Sequence, residues 1–135
     1  MTSKPQPLLC WTVCAYRKPG LSEAEYHKHM SEIHGPLVKH LMVKYGFVRW
    51  SMTHNTSETR ELMKQLVGPQ FEGSADYDCI VQCAFRDVGD FVRMKKDPLY
   101  LEQVMPDHER FADTKRSKMT VGWIEDHVRD GKVVE

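Results

Sequence analysis

Apolar residues recur along residues 22–44 at helical spacing: Tyr26, Met30, Ile33 and Leu37 fall on one face of a helix. Ser22 supplies an N-cap, and Glu25 three residues on completes a capping box. Gly35-Pro36 predicts an interruption, because Pro36 has no amide to donate and biases Gly35 away from the helical basin. Gly46 ends the region as a C-cap. Elsewhere the pattern shortens to apolar runs and alternation. Residues 8–16 (LLCWTVCAY) predict a buried strand. Residues 47–55 (FVRWSMTHN) predict an alternating one with Val48, Trp50, Met52 and His54 on one face. Residues 56–73 form an excursion that could cover a pocket mouth. Its first half, capped by Thr56 or Ser57, predicts a short helix that Gly68-Pro69 stops. A third strand is predicted at 77–85 and a second helix at 87–96. That helix restarts at Pro98 and continues through 99–112, with a break at Pro106. A fourth strand follows at 117–128, and the tail turns at Asp130-Gly131 to extend it.

Strand, helix, strand, strand, helix, strand is the split βαβ order. It predicts an α+β, ferredoxin-like βαββαβ fold, with a four-stranded antiparallel sheet and helices on one face, as a single domain over 1–135. The other face is expected to be bare and apolar, which predicts a homodimer packed sheet on sheet.

Composition narrows the partners. A chain of 135 residues suits one core. The 19 basic and 19 acidic residues give no net charge, which argues against nucleic acid or an anionic membrane. No apolar run is long enough to span a bilayer, and the opening MTSKPQP lacks the apolar core of a signal peptide, so a soluble cytoplasmic protein is expected. Cys10 and Cys14, and Cys79 and Cys83, are spaced i, i+4; on a strand that separates them by roughly 13 Å, too far to share a metal. They read as small reduced core residues.

The chemistry rests on histidine. Glycine-rich phosphate loops and a GxSxG elbow are absent. On a helix His27 and His29 point about 200° apart, which makes a poor metal site, and no metal requirement is expected. His34 stands at the expected helix break, seven residues from His27 and so on nearly the same side, where it could reach into a cavity. His54 ends the second strand beside Trp50. Asp107 and His108 follow Pro106 at the second expected break. Tyr45 and Tyr100 are possible phenol donors, while His40 and His127 read as surface residues. An imidazole titrates near neutrality and can take and return a proton in one cycle.

The segments YRKPGLSEAEYHKHMSEIHGPLV and DPLYLEQVMPDHERFADTKRSKMTVGWIEDHV, with a Trp-bearing strand between them, resemble the EthD family of dimeric α+β barrels. The likeness is sharpest in HGPL at 34–37 and DHERFADT at 107–114, and it spans 8–128. It is greatest to a fungal branch that tailors aromatic polyketides: decarboxylases of anthrone-type carboxylic acids, with relatives described as dehydratases or cyclases. The resemblance implies a homodimeric decarboxylase that uses no cofactor and acts on a small aromatic polyketide acid in secondary metabolism. It implies His34 as the principal acid/base group, with His108, His29 and His54 as further candidates. The pocket would be walled by Trp11, Trp50, Phe85, Phe91, Met94 and Phe111, with Tyr45, Tyr100 and Asp107 as polar contacts. A cofactor-independent anthrone oxygenase and a non-catalytic aromatic-binding barrel remain open as alternatives.

Overall fold

The computed structural model describes residues 7–70 and 72–135, so the expected polar lead lies, apart from Pro7, outside the described residues. Four strands, β1 (Leu8–Ala15), β2 (Arg49–His54), β3 (Cys79–Phe85) and β4 (Lys118–Ile124), form one antiparallel sheet in the order β2-β3-β1-β4. The helices α1 (Glu23–Lys28), α2 (Gly35–Lys44), α4 (Val88–Lys95) and α5 (Met105–Phe111) cover one face. This is the expected ferredoxin-like α+β arrangement. A short helix, α3 (Ser57–Met63), is capped by Thr56. No helix among the described residues is long and apolar enough to cross a membrane.

Local chemistry sets the helix ends. Ser22 Oγ accepts from the Glu25 amide while Glu25 accepts from the Ser22 amide, both at 3.0 Å. At the other end Gly46, at φ 81°, reverses the chain. The Phe47 amide then donates to the Met42 carbonyl and the Gly46 amide to that of Val43, the paired bonds that seal a helix C-terminus.

Between these ends the structure departs from expectation. Gly35-Pro36 does not break the helix. Residues His29–His34 wind as a π-helical turn, in which the Gly35 amide donates to the Met30 carbonyl five residues back, and Pro36 opens α2 in its first turn. Proline's missing amide and its ring are tolerated in a first turn, so the chain continues. A side chain at 35 would put a Cβ 3.2 Å from the Met30 carbonyl oxygen, which favours glycine there. The second expected break is resolved in the same way. Tyr100–Val104 form a π turn, the Met105 amide bonds to the Tyr100 carbonyl, and Pro106 lies in the first turn of α5. The wider turn also re-phases the buried stripe, which runs Tyr26, Met30, His34, Val38 and leaves Ile33 50% exposed.

The uncovered sheet face differs in part. Side chains alternate along each strand, so the face away from the helices carries Ser51, Gln82, Thr12 and Thr120 in one register line, with Gln82 Nε2 donating to Thr12 Oγ1 at 3.3 Å. Leu8, Cys10 and Cys14 of β1, Ile80 and Ala84 of β3 and Ile124 of β4 share that face, so the uncovered face is apolar as expected except along this polar line. Large exposed apolar side chains also lie on the helix side of the edge strand β4, where Met119, Val121 and Trp123 project beyond the helices. The tail does not extend β4. It folds as its own hairpin, β5 (Val128–Arg129) with β6 (Lys132–Val133), through the expected turn at Asp130-Gly131, both at positive φ.

Candidate active site

Between the helices and the sheet lies a cavity of about 550 Å³, within the ~300–1,000 Å³ typical of small-molecule sites. Trp11 and Trp50 wall it from the sheet, and Phe91, Tyr100 and Phe111 from the helices. The exposed lining residues Val92, Met119 and Val121 mark a mouth between α4 and β4. The described residues of the excursion at 56–73 contribute nothing to this lining. Ser57 instead hydrogen-bonds Glu23 at the start of α1, and Arg60 reaches the carbonyls of Asp76 and Tyr77.

Two histidines converge on one carboxylate. His34 Nδ1 lies 2.9 Å from Asp107 Oδ2, and His29 Nε2 lies 2.9 Å from Oδ1 of the same group. Arg110 donates a third bond at 3.2 Å. Asp107 is only 2% exposed. Burial opposes its charge, but the bonds from His34, His29 and Arg110 outweigh that and hold its carboxyl below the usual range. The anion therefore accepts from His34 Nδ1–H, which fixes the neutral tautomer and leaves Nε2 as the free basic nitrogen of a ring that lines the cavity. Burial lowers the proton affinity of His34, and the Asp107 carboxylate partly offsets this.

His108 lines the same cavity, its ring centroid 4.9 Å from that of His34. Burial first, and the neighbouring His34 second, push its pKa down to about 4 from 6.5. The folded chain keeps this imidazole neutral, so the unfolded chain binds the proton first as pH falls. The associated stability is fully present above pH 6.5 and is lost as pH drops towards 4. The loss amounts to about 3 kcal/mol for a shift of this size. Urea unfolding at neutral pH and near pH 4 should show a clearly flatter pH slope for His108→Leu than for the native chain; equal slopes would refute the buried neutral imidazole.

The other sequence candidates are distributed unevenly. Trp50, Phe91, Tyr100 and Phe111 line the cavity, as do Trp11, Phe85 and Met94. His29 reaches Asp107 from outside the lining. His54 lies outside it too, stacked on His27 at 3.9 Å between centroids, with Ser31 Oγ 3.5 Å from its Nε2. His27 is thus paired with His54 near the surface rather than set beside His34. Tyr45 also stands apart from the cavity: its hydroxyl donates to Asp97 Oδ2 at 2.7 Å beside Lys44, which donates at 2.9 Å. These bonds pull the Asp97 carboxyl down to about 2, and Asp97 also accepts from the Leu99 amide to start the second helical stretch. Tyr45→Phe should lower the melting temperature and leave KM unchanged; a raised KM would return Tyr45 to the ligand's surroundings.

Sequence reasoning missed one group. Tyr26 was read as core, and it is buried at 2% exposure, but it also lines the cavity and its hydroxyl has no hydrogen-bond partner among the described residues. Trp50 Nε1, on the facing sheet wall, is the second buried donor in the lining without a partner. The thiols of Cys79 and Cys83 are buried, and burial pushes both up to about 12, in keeping with inert core residues.

Known proteins resemble this chain closely. Residues 18–115 match the EthD domain. The chain is 58% identical over 134 residues to the dehydratase aurZ of Gibberella zeae, covering 99% of this chain and 88% of that protein. It is 56% identical over 127 residues to the decarboxylase claH of Passalora fulva, covering 94% and 82%. A Dabb-family protein with a ferredoxin-like fold from Mesorhizobium loti shares the fold at a TM-score of 0.53 and 14% identity, over 90% of this chain and 98% of that one. The matched domain and these relatives establish that the chain belongs to the EthD domain family.

Proposed function

We propose that the protein is a cofactor-free decarboxylase of an aromatic polyketide carboxylic acid of the anthrone type. The observation that carries this reading is the His34–Asp107 pair at 2.9 Å, with the second His34 nitrogen left free in an aromatic cavity. Relatives named decarboxylases, at 50–56% identity, support the reaction class. In this mechanism His34 Nε2 takes the carboxyl proton, and Asp107 stabilises the imidazolium that results. The bond to the carboxyl carbon breaks, carbon dioxide leaves, and the electron pair moves onto the neighbouring keto oxygen as an enolate. An apolar site favours that charge dispersal, and a neutral His108 can donate a hydrogen bond to the enolate oxygen. The imidazolium then returns the proton to carbon, so keto acid in and ketone plus carbon dioxide out are balanced without a redox partner.

Relatives at 58% and 54% identity named dehydratases favour a second reading. There His34 removes a proton next to a carbonyl and, as the resulting imidazolium, delivers it to the departing hydroxyl. Incubation with an anthrone carboxylic acid under nitrogen, followed by mass analysis, separates the two. Loss of carbon dioxide supports the decarboxylase and loss of water the dehydratase. Turnover only in the presence of oxygen would indicate an oxygenase, and binding without turnover would end the enzymatic reading.

In this reading the working unit is a homodimer, joined where Met119, Val121 and Trp123 lie open along β4. Burying these side chains would stabilise the pair and close the mouth of the cavity. Sedimentation as a monomer at micromolar concentration would remove this assembly.

A further inference from the structure

The cavity side of α4 ends on a charge. Val88, Phe91, Val92 and Lys95 all line the cavity, and their i, i+3, i+4, i+7 spacing sets them on one face of the helix. Three are apolar. The fourth is an exposed lysine, one turn beyond Phe91 and Val92 at the mouth. Lys118 also borders the cavity, but it stands opposite Cys14 in the sheet register, so its side chain turns to the uncovered face. Among the described residues the lining contains no aspartate or glutamate. Nearby cations are paired, Arg93 with Asp90 and Lys44 with Asp97. Lys95 has no carboxylate partner among the described residues. Its charge is felt inside the cavity all the same. Burial and then His34 are the main causes of the low pKa of His108, and Lys95 adds a smaller push in the same direction. A cation on the wall of an apolar cavity, with no protein anion to balance it, complements negative charge on the ligand.

We propose that Lys95 is an oxyanion-stabilising residue, whose ammonium group on the cavity face of α4 holds the ligand's ring oxygen beside His108 as an enolate or phenolate. This rests on the reading of the cavity as the substrate site. It adds a charge class to the substrate: a flat aromatic body whose keto or phenol oxygen becomes anionic next to His108. In the decarboxylation the carboxyl proton goes to His34, and the electron pair left by carbon dioxide moves onto this oxygen. A neutral imidazole donates to that oxygen without cancelling its charge. A fixed cation does cancel it, and more effectively beside apolar walls than in water. The oxygen is uncharged before the bond breaks, so the stabilisation belongs to the transition state. Lys95 gives up no proton and forms no bond in this role.

The test uses a monohydroxyanthraquinone, which has no carboxyl group to lose and whose phenolate absorbs at longer wavelength than its phenol. Bound to the native protein it should ionise about one pH unit lower than when bound to Lys95→Met, the scale on which a nearby opposite charge acts. Comparing the two proteins removes the effect of the apolar walls, which they share. Lys95→Arg should match the native protein. Lys96→Met removes the same charge from an exposed position outside the lining and should also match it. With an anthrone carboxylic acid as substrate, Lys95→Met should lower kcat about tenfold and leave KM nearly unchanged. Equal ionisation on the native and Lys95→Met proteins would overturn the proposal, and so would equal displacements in Lys95→Met and Lys96→Met, which would reduce the effect to net charge. Weaker binding of an anthraquinone carboxylic acid to Lys95→Met, with the phenol's ionisation unmoved, would show that Lys95 holds the incoming carboxylate and would overturn it too. No spectral change on mixing the phenol with native protein would remove the cavity as the ligand site and the proposal with it. The phenol does not react, so a His34→Gln variant that kept full turnover would remove the decarboxylation mechanism and leave the ionisation result standing.

Discussion

His34→Gln should lower turnover by about 100- to 10,000-fold, the range general acid–base groups contribute, with unchanged circular dichroism. Glutamine can still accept or donate towards Asp107, so the buried carboxylate keeps a partner and the fold survives. What it lacks is a nitrogen that takes a proton and gives it back. Among the described residues His34 alone combines a hydrogen bond to a buried carboxylate with a place in the cavity lining, since His29 shares the carboxylate without lining the cavity and His108 lines the cavity without the carboxylate. His40→Gln, on the exposed side of α2, should be nearly silent. Native turnover from a folded His34→Gln protein would make His34 a structural residue and move the chemistry to His108.

Asp107→Asn should cost turnover on the order of 1,000-fold by a different route. The amide keeps the size of the carboxylate but carries no charge, and it can donate to His34 Nδ1. Donation there drives the ring proton onto Nε2, and the basic nitrogen is no longer presented to the cavity. The loss should fall mainly on kcat, because Asp107 does not line the cavity. The native Asp107 carboxyl is held below its ordinary range, so its contribution to stability is present above the usual carboxylate pKa and lost as pH falls through the folded value. The Asn variant should therefore show less acid sensitivity in unfolding. Retention of kcat in Asp107→Asn would remove the carboxylate from the mechanism.

The fold was legible because its strands and helix caps follow local rules. Ser22 with Glu25, Gly46, Thr56 and Asp130-Gly131 each sit where the sequence places them. The site was only partly legible, and the reason is geometric. His29 and His34 are five residues apart, which on an α-helix separates their directions by about 140°. A π turn closes after five residues and brings them onto nearly the same side, where one carboxylate can hold both. Proline after glycine announced an irregularity at that point but not its kind. For the same reason the sevenfold spacing of His27 and His34 misled. The polar line of Ser51, Gln82 and Thr12 was hidden for another reason: the first strand is so rich in apolar residues that its alternation was lost in the run LLCWTVCAY. Tyr26 could have been suspected, since a tyrosine in a buried stripe must place its hydroxyl somewhere.

The two π turns also constrain how the chain can change in length. Each amounts to an α-helical turn carrying one additional residue. Because that residue is absorbed within the turn, deleting one residue there would restore a regular helix and leave the phase of α2 relative to α1 unchanged, so Val38, Leu41 and Met42 would stay on the core. What such a deletion changes is local: it removes the wide turn that sets His29 and His34 against one carboxylate. The same holds at 100–104, just before the segment bearing Asp107 and His108. The wide turns are thus the places where the chain can lose a residue without re-phasing its helices, and the effect of doing so falls on the site rather than on the core.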